Sequence, residues 1–309
     1  MRRSRIITLA ALGVAAVLAL AGCASDGAGG TLEMAGKAPS NGAGAGTKGT
    51  ITLGFLPSWS DGLSTAYLLK DQLGKLGYDV RMQTLSDAGP LYAGLSQGDV
   101  DVFPSAWPEV TQKAYMDKYK GRIDDLGTYY DDARLTIAVP TYTDIDSIDQ
   151  LKGQGSRFDG KLIGIEPGAG LTAQTQKMMP EYGLAGEFQL VTSSTAAMLT
   201  ELKSATEKKQ DIAVTLWRPF WANNAFPVKD LKDPKGAMGK PEGLHFLGAK
   251  GFAKKHPDAA ALISRIRLDD AQYGSLEDTV VNRFGKGKEP QAIDAWITEH
   301  GAGFDWVKK

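Results

Sequence analysis

The chain has 309 residues, of which 42% are hydrophobic and 23% charged, with 35 basic and 36 acidic side chains. That is a globular balance, long enough for one large domain or two lobes. No basic cluster points to a nucleic-acid partner.

The first segment stands apart from the fold. Met1-Arg2-Arg3-Ser4-Arg5 is basic, and Ile6–Leu20 is an unbroken apolar run too short to span a bilayer comfortably. Residues 1–22 therefore read as a secretory signal peptide, with two cleavage readings. Ala19-x-Ala21 suits an ordinary secretory peptidase and would release an exported soluble protein. Leu20-Ala21-Gly22-Cys23 resembles the bacterial lipobox, in which the cysteine is diacylated and begins the mature chain. Cys23 is the only cysteine, so it cannot form an intrachain disulfide, and it is the expected lipidation site on the extracytoplasmic face of the cell membrane. Residues 23–49 are rich in Gly, Ala and Ser and read as a flexible tether. Loss of the three signal arginines leaves 32 basic against 36 acidic residues, a net charge of −4.

From Thr50 onward, short apolar runs alternate with amphipathic segments, which predicts an α/β architecture with largely parallel sheets. Ile51–Leu56 reads as a strand. Ser64–Leu76 has Ala66, Leu69, Leu73 and Leu76 at helical spacing and stops at Gly77. Tyr78–Gln83, Val100–Phe103 and Leu135–Val139 are expected strands, with a short helix over Pro90–Ser96. A second set follows: strands at Leu162–Ile165, Phe188–Val191 and Ile212–Leu216, and helices at Leu171–Met179 and Thr195–Thr206. After a strand at Leu244–Leu247 come the helices Pro257–Ile266, Ser275–Phe284 and Pro290–His300. The expected organisation is lobe I over 50–139 plus 249–309 and lobe II over 140–248, with a cleft between them.

Three of the six tryptophans follow predicted strands: Trp59 after Ile51–Leu56, Trp107 after Val100–Phe103, and Trp217 directly after Ile212–Leu216. A single Trp there is ordinary core filling. Three in one topological place, at the carboxyl edge where α/β sheets bind ligands, point to a shared cage. Trp296 lies within a predicted helix and reads as packing. A quaternary ammonium has no N–H to donate, and aromatic faces match its diffuse charge. A desolvated cation–π contact contributes about 2 kcal/mol, so three supply roughly 6, against about 8 for micromolar affinity. A second anchor is needed. "LIGIEPGAGLTAQ" offers one, a strand passing through Glu166-Pro167-Gly168-Ala169-Gly170 into a helix whose free N–H groups attract an anion. The alternative is a plain strand–helix turn. Cage and anion nest together suit a zwitterion.

With these features in view, the chain resembles the substrate-binding proteins of ABC importers for glycine betaine and related quaternary ammonium solutes. The resemblance covers residues 50–290 and rests on "GFLPSWSDG", "LGYDV", "LYAGLSQGDVDVFPSAW", "KYKGRIDDLG", "IGIEPGAGL", "LWRPFW", "DLKDPKG" and "KGFAKKHPDA" taken together. It implies a two-lobed type II periplasmic-binding-protein fold that closes on its solute. It further implies permease and ATPase partners, no cofactor and no bond chemistry.

By motif position the resemblance makes Trp59, Trp107 and Trp217 the ammonium cage, and Gly170 and Leu171 the backbone donors to a carboxylate. The histidine that often follows the middle Trp by five residues is here Gln112. Choline-type members carry an acidic residue two after the first cage Trp, where this chain has Asp61, a candidate contact for a ligand hydroxyl. Asp61 could equally cap the helix from Leu63. Choline-type members also have a further aromatic on the crossing strand, where this chain has Leu135, and polar residues after the glycine turn, where it has Leu171. Two of these three markers favour a betaine, so glycine betaine is the expected solute, with choline or carnitine as the alternative.

Other motifs lead elsewhere. Gly94–Gly98 matches G-x-S-x-G, but Ser96 has a helix before it and a strand after, the reverse of a nucleophile elbow. "GAGTKG" matches G-x-G-x-x-G inside the tether, where no dinucleotide site forms. His245, His256 and His300 are scattered, and with one cysteine no metal site is expected. Asp124-Asp125 and Asp131-Asp132 lack calcium-loop spacing and read as solvated surface. An extracytoplasmic hydrolase lacks a nucleophile–base pair, and an adhesion lipoprotein has no need of three Trp at strand ends.

Overall fold

The structure, a computed structural model, describes residues 47–308. The expected signal peptide, the Cys23 lipidation site and most of the 23–49 tether lie outside the described residues. Chain order begins with β1 (Thr50–Phe55), α1 (Ser60–Lys75), β2 (Asp79–Thr84), α2 (Ala88–Gln97), β3 (Val102–Ala106) and α3 (Lys113–Lys118). β1 lies parallel to both β2 and β3, and Ile51, Leu53, Val102 and Phe103 are buried between the layers. α2 begins at Asp87, whose carboxylate accepts from the Ala88 N–H at 2.6 Å. It ends at Gly98, which takes a left-handed φ of 83°.

β4 (Ile123–Pro140) is an 18-residue strand on which the rest of the fold turns. Its first half pairs antiparallel with β9 (Glu242–Ala249), and its second half pairs antiparallel with β7 (Val214–Arg218) and β8 (Val228–Asp230). β5 (Lys161–Ile163) and β6 (Gln189–Val191) extend that second half in parallel with β7. The strand order is β2-β1-β3-β9-β4-β7-β5-β6, with β8 alongside on β4. Two half-sheets therefore share one strand. α4 (Gly170–Glu181), α5 (Thr195–Glu207) and α6 (Ala222–Ala225) belong to the second half. α7 (Phe252–Lys255), α8 (Pro257–Ile263), α9 (Asp270–Asp278), its π-helical continuation Thr279–Phe284, and α10 (Glu289–His300) follow β9. Trp296 of α10 is fully buried, its indole N–H donating to Ser275 at 2.8 Å, which is the packing role expected of it.

Several expectations change. The sheets are mixed, because β9 and the long β4 run antiparallel to their neighbours, rather than largely parallel. Ile123–Ala133 and β8 escape a periodicity search, since the first is acidic and interrupted by Gly127 and the second has three residues. β3 runs on through Pro104 to Ala106. Proline cannot donate to the ladder, and the register with β9 shifts between Phe103 and Ala106 around it. Asp124 and Asp125 are not merely solvated. Asp124 pairs with Lys250 at 2.6 Å, and Asp125 meets His245 at 2.8 Å. Residues 242–249, assigned mostly to lobe II from sequence, pair with β3 and the first half of β4.

Candidate functional site

The turn after β1, the end of β3, the crossing strand β4 and the start of α4 converge on one cavity. It is lined by Trp59, Asp61, Trp107, Gln112, Gly170, Leu171 and Trp217, every candidate site residue in the described chain, together with Thr111, Leu135, Ile165 and Ala169.

The three indoles are held in different ways. Trp59 donates its indole N–H to Glu166 Oε2 at 2.9 Å, and Trp107 donates to Asp61 Oδ2 at 3.2 Å. A carboxylate on the indole N–H polarises the ring and strengthens its pull on a cation over its face. Trp217 stacks on Phe220 with centroids 3.9 Å apart and 15° between planes. It is the fourth residue of β7, paired with Leu135, and so lies within the strand rather than after it.

Asp61 is not a helix cap. α1 begins one residue earlier, at Ser60, with Trp59 at its cap position and no side-chain cap bond. The Asp61 carboxylate instead accepts from Ser105 at 2.7 Å as well as from Trp107, while its other oxygen, Oδ1, is buried without a protein partner. Burial pushes the Asp61 carboxyl above its usual range, against the opposing pull of the Ser105 and Trp107 hydrogen bonds. A cation beside it would favour the charged carboxylate and offset the cost of its burial.

Donors line the same cavity. α4 starts at Gly170 with Ala169 at its cap and no side-chain cap bond, so the Gly170 and Leu171 N–H groups find no protein acceptor among the described residues. Gln112 is buried, and its carbonyl Oε1 accepts from the Trp107 N–H at 2.9 Å and the Tyr92 hydroxyl at 2.8 Å. Those two donors set the amide's orientation and leave its NH2 group without a protein partner among the described residues. The Gln112 amide is thus held in one orientation at the position where the resemblance often places a histidine.

The glycine turn also joins the two halves. A Cβ on Gly170 would lie inside the contact radius of the Thr111 carbonyl oxygen, and one on Gly168 inside that of the Asp87 carboxylate. Gly168 N–H donates to Asp87 at 3.1 Å, and its carbonyl accepts from Tyr115 at 2.8 Å. Two glutamates assist without touching the cavity. Glu242 of β9 accepts the N–H groups of Glu109, Val110 and Thr111 at 3.0, 2.9 and 2.8 Å. Glu166, buried in the turn before α4, holds Trp59. Sequence reasoning assigned neither. Glu166 stood in view inside the quoted turn, whereas the partners of Glu242 lie more than 130 residues away.

Over residues 49–299 the sequence matches the family described as the substrate-binding domain of ABC-type glycine betaine transport systems. The glycine betaine/carnitine transport binding protein GbuC of Listeria monocytogenes is 33% identical over 159 residues, 50% of this chain and 51% of that protein, so the chain spans about half the length of that relative. The glycine betaine, L-proline-binding protein ProX from Borrelia burgdorferi is 31% identical, with a TM-score of 0.78 over 84% of this chain and 97% of that one. Lactococcal OpuAC, in a closed-liganded conformation with glycine betaine, is 28% identical, with a TM-score of 0.77 over 84% and 99%. The fold is the two-lobed type II binding-protein architecture of these structures.

Proposed function

Since this chain belongs to the family of substrate-binding domains of ABC-type glycine betaine transport systems, we propose that it is an extracytoplasmic receptor that binds glycine betaine in the tryptophan-lined cavity and delivers it to an ABC permease. The supporting observation is the polarity of that cavity. Its lining combines three indoles and a buried carboxylate oxygen without a partner among the described residues with the N–H groups of Gly170 and Leu171 and the Gln112 amide. Trp59, Trp107 and Trp217 take the trimethylammonium by cation–π contact, with Asp61 as its counter-charge. The Gly170 and Leu171 N–H groups and the Gln112 amide take the carboxylate, aided by the start of α4. No bond is made or broken.

The same reading includes a lipid on Cys23, supported by Leu20-Ala21-Gly22-Cys23, which would hold the receptor at the cell membrane. It also sets the lobes at 50–139 with 242–309, and 140–241. The pairing of β9 with β3 supports moving the second crossing forward from 248.

A second reading, choline, is favoured by one observation: Asp61 Oδ1 has no protein partner and could accept from a hydroxyl. Calorimetric titration with glycine betaine, carnitine and choline decides between them. Micromolar glycine betaine binding, abolished by Trp107→Ala, is the expected result. Tight choline binding with no glycine betaine response, lost in Asp61→Asn, would transfer the assignment to choline.

A further inference from the structure

Glu166 lies in lobe II, between β5 and α4, and is 5% exposed. Its two oxygens accept four hydrogen bonds. Oε1 takes the Ser58 hydroxyl at 2.9 Å and the Thr195 N–H at 3.0 Å. Oε2 takes the Trp59 indole N–H at 2.9 Å and the Thr195 hydroxyl at 2.9 Å. Ser58 and Trp59 belong to lobe I, in the turn between β1 and α1, and Thr195 opens α5 in lobe II. One buried carboxylate therefore ties a cage wall to the opposite lobe.

We propose that Glu166 is the clasp of the closed receptor, a positioning residue that captures Ser58 and Trp59 as the lobes meet and so turns the Trp59 face onto the bound cation. The inference rests on the quaternary-ammonium reading of the cavity. In an open form, Glu166 keeps Thr195 and loses both lobe I donors, so its contribution falls on the lifetime of the closed complex rather than on encounter. The pattern of donors demands a carboxylate. Each oxygen receives one N–H, which cannot reverse, and one hydroxyl, which can. A glutamine amide turned either way sets its NH2 against an N–H, of Trp59 in one orientation and of Thr195 in the other. Its isosteric fit does not rescue the contact.

Stopped-flow tryptophan fluorescence with glycine betaine and with choline, on the full chain, tests the clasp. In Glu166→Gln the dissociation rate of the bound solute is expected to rise roughly tenfold or more, with association within about twofold of wild type. Ser58→Ala removes one of the two lobe I donors and leaves Thr195 in place. It should raise dissociation in the same direction by less, and leave the ligand-free melting temperature unchanged. A Glu166→Gln protein that dissociates at the wild-type rate overturns the clasp. So does one that merely melts earlier while Ser58→Ala behaves as wild type, since that is the signature of a role confined to α5. Wild type that binds neither solute overturns the functional reading and the clasp together.

Discussion

Gly170 carries two demands at one position. Its N–H is free to meet a carboxylate, and its missing Cβ lets the start of α4 rest against the Thr111 carbonyl of the other lobe. Ala would suit the helix itself, so the need for glycine comes from across the cleft. Gly170→Ala is therefore expected to leave the ligand-free protein at its wild-type melting temperature while overpacking the closed form by about 1–3 kcal/mol. That corresponds to roughly 5- to 150-fold weaker solute binding by calorimetry. A loss of ligand-free stability of the same size would place the clash within lobe II instead. Gln112 illustrates the same economy at the residue scale. Its carbonyl is occupied by Trp107 and Tyr92, which leaves the amide hydrogens as its only contribution to a ligand.

At the scale of elements, the segment from Trp107 to Gln112 is a loop that carries two of the site's contacts and must be as well ordered as a strand. Glu242 provides that order from β9, accepting three successive N–H groups in the manner of an anion nest. His245, three residues on, reaches the Glu109 carboxylate of the same loop at 3.1 Å. A glutamine at 242 has one acceptor oxygen for N–H groups that now approach two, so at least one faces an amide NH2 at a cost of about 1–3 kcal/mol. Glu242→Gln should thus speed amide exchange at residues 109–111 and weaken solute affinity, with Trp59 and its clasp undisturbed. Unchanged exchange in that loop would mean that β3 and α3 hold it without Glu242.

At the scale of the molecule, stability carries a charge that the binding reaction does not use. Glu277 of α9 is fully buried between the helical tail and the cage. Burial pushes its carboxyl up to about 8 from 4.5, with the nearby Asp61 carboxyl adding to the rise. The folded state therefore binds this proton more tightly than the unfolded state. Stability is greatest below about pH 4.5 for this group and falls as pH rises to about 8, by up to roughly 1.4 kcal/mol per pH unit. Glutamine fits this position, because only one fixed N–H, from Trp221, meets the carboxylate at 2.9 Å, while Ser60 contacts the other oxygen through a reversible hydroxyl at 2.7 Å. Denaturant titrations should accordingly find Glu277→Gln more stable than wild type at pH 8 and closely matched near pH 5. Parallel pH profiles for the two proteins would show that Glu277 stays ionised in the fold.

The sequence by itself determined the α/β class, two lobes, most helices, and the three tryptophans with the glycine turn that line one cavity. Each of these is written locally, in periodicity, strand-end aromatics and glycine spacing. Tertiary structure decided what depends on partners distant in sequence. The acidic first half of β4 is a strand because β9 pairs with it, and β9 brings Glu242 beneath the Trp107–Gln112 loop. Asp61 serves Ser105 and Trp107 rather than a helix end, and Glu166 grips Trp59 from the opposite lobe. A buried carboxylate takes its role from the donors that reach it, and those donors arrive only when the chain has folded back across the cleft.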